Sequence, residues 1–120
     1  MTASTRIRAE EPGDHAAVFR VNAEAFGQEV EARLVDALRG SSAFIPELSL
    51  VAVRDGEVAG HILFSRISIS GSTSASALAL APMAVLPACQ RLGIGSALVR
   101  QGLAEAARLG HGAVIVVGHP

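Results

Sequence analysis

The stretch Gln90-Arg91-Leu92-Gly93-Ile94-Gly95-Ser96 holds residue types that can do chemistry. An apolar, strand-like run from Leu78 to Val85 leads into it, and a helical pattern from Ile94 to about Leu109 follows. The first N–H groups of a helix have no partner inside the helix, and the helix dipole adds partial positive charge there. Glycines at that mouth let a bulky anion reach the backbone, so the stretch reads as a phosphate corner. The competing reading is that Gly93 and Gly95 serve only close helix–strand packing. A Walker loop would need Lys and then Ser or Thr after the second glycine, which Ser96-Ala97 does not supply. A dinucleotide fingerprint would need a third glycine and a later ribose acid, and neither is present.

Other reactive side chains are scattered. His61 follows Gly60 in a strand-like run and is the candidate base, since imidazole titrates near neutrality. Its plainer reading is a partly exposed strand residue. His119 falls at the end of the last apolar run, and His15 and His111 read as surface positions. Glu24, Glu29 and Glu31 surround a break between two helical patterns and read most simply as a solvated face. Asp14 reads as an early-helix acid, Arg91 as either a phosphate partner or a solvated cation, and Cys89 as a small filler. No metal site is expected.

The elements that must position these groups are legible from pattern. Ser4 to Ala9 suits a first strand around Ile7. Glu11-Pro12-Gly13-Asp14 starts a helix, with Val18, Val21, Ala25 and Phe26 as its buried stripe and Gly27 as its break. A second helix carries Val30, Leu34, Ala37 and Leu38 on one face and stops at Gly40. Leu48 to Arg54 and Glu57 to Ser70 form a hairpin around Asp55-Gly56, with Gly60 marking a bulge. Ser70 to Ser76 is a polar loop. Ala77 to Val85 is the next strand, and Pro82 within it predicts a bulge or an edge. The final helix is amphipathic, with Leu98, Val99, Gly102, Leu103, Ala106 and Leu109 within one apolar arc, and Ala113 to Val117 is a β-branched strand typical of burial on both faces. The order is β-α-α-β-β-β-α-β, an antiparallel meander joined to one parallel pair, in an α+β fold with a mixed sheet.

Composition bounds the class. The chain has 120 residues, one domain's worth (1–120), of which half are hydrophobic. It has four Phe but no Trp or Tyr, so Ala, Val, Leu and Ile must build the core. The net charge of −1 comes without a basic stripe, which argues against nucleic-acid binding. One cysteine permits no internal disulfide and suits a reducing compartment. The longest apolar run is shorter than the roughly 20 residues a bilayer span needs. A cytoplasmic protein without membrane contact is expected.

With the loop, its leading strand Met83-Ala84-Val85-Leu86-Pro87 and the element order assembled, the chain resembles the Gcn5-related N-acetyltransferase superfamily. The family signature, Gln or Arg, two residues, Gly, one residue, then Gly or Ala, is met by Gln90-Arg91-Leu92-Gly93-Ile94-Gly95. The resemblance implies an acyl-CoA N-acyltransferase fold, acetyl-CoA as cofactor, and transfer of acetyl to a primary amine of a small molecule or protein. It implies that backbone N–H groups from Arg91 to Ser96 hold the pyrophosphate. The pantetheine arm would pair like a strand with Met83, Ala84 and Val85, in a gap where the two parallel strands splay. The helix break around Glu24, Glu29 and Glu31 would line the acceptor site.

The chain departs from the family pattern in three ways. Family members continue past the fifth strand with a helix and closing strands, so this sequence reads as a domain truncated there. The Tyr that often protonates the leaving thiolate is absent, and the strand before the loop carries no Glu. Positioning alone can offset several kcal/mol of such a barrier, on the order of 7–11 at best. The alternative is a catalytically impaired module that binds CoA or acts by association. An uncovered fifth-strand edge predicts a homodimer or higher oligomer.

Overall fold

The structure, a computed structural model, describes residues 4–68 and 76–116. Most of the polar loop expected after the third strand lies outside the described residues, as do Val117 and His119. The elements are β1 (Thr5–Ala9), α1 (His15–Phe26), α2 (Val30–Arg39), β2 (Phe44–Arg54), β3 (Glu57–Ser68), β4 (Ser76–Val85), α3 (Ile94–Arg108) and β5 (Val114–Val116). Short 3-10 turns, Pro12–Asp14 and Pro87–Cys89, precede α1 and α3. Order and types agree with the pattern of the sequence. Among the described residues, no helix is long and apolar enough to cross a membrane.

The strands form one mixed sheet in sequence order, β1-β2-β3-β4-β5. The first three pairings are antiparallel and β4–β5 is parallel. The hairpin between β2 and β3 turns at Asp55 and Gly56, both with positive φ (52° and 79°), the two-residue turn whose twist suits flanking strands. Successive residues of β2 and β3 face opposite sides, and both sides are covered. Leu50, Ile62, Phe64 and Leu78 pack with Leu98 and Ala106 of α3. Val51, Leu63 and Ala84 pack with Val18 and Val21 of α1 and Val35 of α2.

Two close fits set the position of α3. Gly102 lies over the Phe64 ring, where an added Cβ would stand 2.1 Å from a ring carbon. At Gly60 an added Cβ would meet Ile94 and Leu98, each at 3.1 Å. The extra residue in this hairpin is Ala59, beside Gly60, because the register passes from Ala52↔Gly60 to Val53↔Val58.

The second helix differs from its expected orientation. Its inward face is Glu31, Ala32 and Val35, while Val30 and Leu34 are 65% and 45% exposed. The apolar pair faces a cleft rather than the core, as described below.

Candidate functional site

The site is built around a bulge. Between Ile62↔Met83 and Phe64↔Leu80 strand β4 holds one residue more than β3, at Ala81-Pro82. Pro82 has no N–H to give a ladder, so a bulge is where a strand tolerates it. The extra residue puts Met83, rather than Pro82, on the same face as Leu80. The last described β4–β5 pair, Leu80↔Val116, stands next to this bulge.

Beyond the bulge, β4 has a backbone edge facing the gap. The Leu86 N–H donates to the Ala59 carbonyl at 2.8 Å. Antiparallel pairs alternate between bonded and non-bonded, so Leu86 and Ala84 bond toward β3 while Val85 and Met83 direct their backbone groups away from it. In agreement, the Val85 carbonyl accepts a hydrogen bond from Gln90 Nε2 at 3.2 Å. This bond ties the loop to the strand it leaves.

The loop then turns sharply into α3. Arg91 and Gly93 both have positive φ, 68° and 82°, and Gly93 is the N-cap of the helix. The first backbone bond of α3 is Ala97 N–H to the Gly93 carbonyl, 3.1 Å. The N–H groups of Ile94, Gly95 and Ser96 therefore have no acceptor in the helix and form its positive end.

A cleft of about 660 Å³ lies against these groups. Met83, Val85, Gln90 and Arg91 line its strand and loop side, and Gly93, Ile94, Gly95 and Ser96 its helix side. Of the expected cofactor positions, Ala84 and Leu92 do not line it: Ala84 is buried against α1 and Leu92 is exposed. Three residues not singled out for it join the wall. They are Cys89, Val99 and Arg100. Arg100 stands one helical turn after Ser96, and that i to i+4 spacing was the available signal. The donor set suits a polyanion with an extended arm: three helix-end N–H groups, two arginines and a strand edge that has no strand partner among the described residues.

A second cleft, about 550 Å³, meets the first at Met83 and Val99. It lies between the end of α1, the start of α2 and the bulge of β4. Val30 and Leu34 face it, which accounts for their exposure, and Glu31 lines it while only 8% exposed. Gln28 Nε2 donates to the Glu31 carboxylate, 3.2 Å from each oxygen. The neighbouring acids differ: Glu24 and Glu29 are exposed and pair with Arg20 and Arg33 at 3.4 and 2.8 Å.

His61 lies on the α1–α2 face of the sheet, fully buried and outside both clefts. The sequence offered it as a base or a partly exposed strand residue, but its ring is enclosed in a polar chain. Asn22 Nδ2 stands 3.3 Å from Nδ1 and Ser49 Oγ 3.0 Å from Nε2. Ser49 donates to Glu10 Oε1 at 2.8 Å, and Glu10 pairs with Arg39 at 3.0 Å. An amide N–H can donate only to an unprotonated Nδ1, so the ring is the neutral Nε2–H tautomer, which donates to Ser49. Burial pushes its pKa down to about 4, partly opposed by the Glu10 carboxylate. Among the described residues, Asn22 Oδ1 is a buried polar atom without a partner. Asp14 caps the Glu11 N–H at 2.7 Å and pairs with Arg8 at 2.7 Å, and the hydrogen bond from Arg8 holds its pKa below the usual value.

The chain matches known proteins in sequence and fold. Residues 15–119 match the model of the acetyltransferase (GNAT) family. An uncharacterised N-acetyltransferase of Escherichia coli K12, YjhQ, is 37% identical over 107 residues, covering 88% of this chain and 59% of its own length. The chain thus spans less than two thirds of that relative. A GNAT family acetyltransferase from Brucella melitensis, solved with acetyl-CoA, superposes with a TM-score of 0.88 at 38% identity, over 98% of this chain and 77% of that one. The Escherichia coli N-acetyltransferase YhbS, solved with CoA, gives 0.89 at 30% identity, over 100% and 66%.

Proposed function

Because the chain belongs to the acetyltransferase (GNAT) family, we propose that it moves an acetyl group from acetyl-CoA to a primary amine of a small molecule or protein. The observation that carries this reading is the cleft where the first N–H groups of α3 meet the edge of β4 at Met83 and Val85, which has no strand partner among the described residues. Acetyl-CoA supplies an activated thioester, from which the amine takes the acetyl carbon as the C–S bond breaks. In this reading the N–H groups of Ile94, Gly95 and Ser96 bind the pyrophosphate, and Arg91 and Arg100 add charge at its rim. The backbone of Met83 and Val85 pairs with the amide-bearing arm, and a donor there would also steady charge on the thioester oxygen. The amine would enter by the second cleft, which reaches the first at Met83. The single cysteine supports a reducing, cytoplasmic setting. Ile115 and Val116, 45% and 71% exposed on the last strand of the sheet, support association of copies along that side.

Calorimetry with CoA and acetyl-CoA tests the site. Micromolar binding is expected. Gly93→Glu should abolish it, by adding a like charge and by forcing a side chain into a left-handed backbone at about 1–2 kcal/mol. Ser96→Glu provides a check on folding, since an acid in the first helical turn is tolerated yet repels phosphate. No binding of either ligand by the parent protein would refute the proposal. A second reading, a CoA-binding module without turnover, is favoured by the absence of Tyr and of an acid on β4. Binding without thiol release from any amine would select it.

A further inference from the structure

The first cleft carries positive charge that no acid balances among the described residues. Arg8, Arg20, Arg33, Arg39 and Arg108 each pair with a carboxylate. Arg91 and Arg100 have no ion pair among the described residues, and no acid is among the described residues that line this cleft. The helix end adds its own partial positive charge. The two arginines are placed differently. Arg91 belongs to the loop, whereas Arg100 lies on α3, one turn after Ser96.

Successive residues of a helix are turned by about 100°, so the first turns of α3 present three faces. Ile94 and Leu98 face β3, where each would stand 3.1 Å from a Cβ at Gly60. Gly95 and Val99 face β4: a Cβ at Gly95 would stand 3.2 Å from Met83 Cε, and Val99 lines both clefts with Met83. Ser96 and Arg100 come next round and are both exposed, away from the sheet. A helical side chain leans toward the N-terminus, so the guanidinium of Arg100 flanks the helix end beside Ser96. The first N–H groups of α3 point along the helix axis instead. The pyrophosphate would take the axis, and the amide-bearing arm the β4 side. CoA has one further anion, the 3′-phosphate on its ribose, at the end opposite the arm. We infer that Arg100 receives that phosphate and sets a preference for CoA over the same molecule without it. The inference rests on the acetyl-transfer reading above and assigns a specificity residue to its cofactor site. An exposed guanidinium suits a phosphomonoester dianion, which keeps part of its hydration while accepting charge-assisted hydrogen bonds.

Calorimetry with CoA and dephospho-CoA, on the purified chain and its variants, tests this. The parent should bind CoA at least about fivefold more tightly than dephospho-CoA, within the strength of one exposed charge-assisted contact. Arg100→Ala should weaken CoA to the level of dephospho-CoA and leave dephospho-CoA itself within about twofold, which also shows the site intact. Arg100→Lys should keep part of the preference, since an ammonium still meets the phosphate as a point charge. Arg108→Ala removes the same charge from the far end of α3, where Arg108 pairs with Glu105, and should keep the preference whole. That variant separates a contact from the general field of the protein, which salt screens over distance. Equal affinity of the parent for the two ligands would overturn the inference. So would an equal loss for both in Arg100→Ala, which would put Arg100 on the pyrophosphate, or a preference that survives that change. Loss of the preference in Arg108→Ala would overturn it as well. A parent that binds neither ligand would overturn the acetyl-transfer reading, and the inference with it.

Discussion

The buried His61 makes stability depend on pH in a calculable way. In the unfolded chain its imidazole should titrate near 6.5, and in the folded protein burial lowers that to about 4. Between those values the unfolded state binds more protons than the native state, so stability falls as pH falls. Above about pH 7.5 the ring is neutral in both states and contributes almost no slope. Linkage gives a loss of about 2 kcal/mol at pH 5 and about 3 kcal/mol at pH 4, relative to pH 7.5. Asp14, whose folded pKa is depressed below 3.8, adds loss only at lower pH still, so the window from 4.5 to 7 belongs mainly to His61. Protonation would also set a new N–H at Nδ1 against the Asn22 amide nitrogen. The assay is urea unfolding at half-unit steps of pH, with proton NMR of the four His rings in parallel. A drop in midpoint below pH 6.5 and one ring that stays neutral to pH 5 are expected. His61→Gln should flatten the slope whatever its absolute stability. If all four rings titrate near 6.5, or if stability is level from pH 7 to 5, the buried-neutral assignment is wrong.

Two further outcomes follow from packing. Gly102→Ala should destabilise by up to about 2 kcal/mol, because overpacking costs about 1–3 kcal/mol and alanine's better helix propensity returns about 1; its Cβ would fall 2.1 Å from the fully buried Phe64 ring. Thermal melts check this, and a rise in Tm would refute the close contact. Sedimentation at micromolar concentration should show a dimer or larger species if copies associate along the β5 side, and Val116→Glu should shift it toward monomer; a monodisperse parent monomer counts against association.

Part of the backbone-built site was legible because its causes are local: the glycine turn into α3 and Pro82 at a bulge each follow from a residue and its immediate neighbours. The alternation that turns Ala84 toward β3 and Met83 and Val85 away from it was not drawn from the sequence, where all three were named together. The side-chain-built part was less legible. Each residue of a helix is rotated by about 100° from the last, so a one-residue error in facing exchanges Val30 and Leu34 for Glu31 and Val35. The apolar spacing of α2 marks a hydrophobic face, but spacing cannot say whether that face meets core or cleft. His61 was misjudged for a similar reason. A histidine in a strand looks half-exposed until Asn22 of α1 and Ser49 of β2 are known to meet it, with Glu10 behind Ser49.

That buried chain and the second cleft are mechanically related through α2. Arg39, in its last turn, is tied to Glu10, which follows β1, and through Ser49 and His61 to β2 and β3. Asn22 links the same ring to α1, and it also donates to the Val18 carbonyl within that helix. Glu31 and Leu34 stand on the same helix as Arg39, one to two turns before it. Aliphatic contacts at Val18, Val21 and Val35 hold α1 and α2 on the sheet but fix direction weakly, since hydrophobic packing is not directional. The hydrogen-bonded chain supplies the missing direction, because each of its links has a required geometry. A histidine outside both clefts thus still bears on the shape of the second one. It helps to hold the rotation of α2 that turns Val30 and Leu34, rather than Val35, toward that cleft.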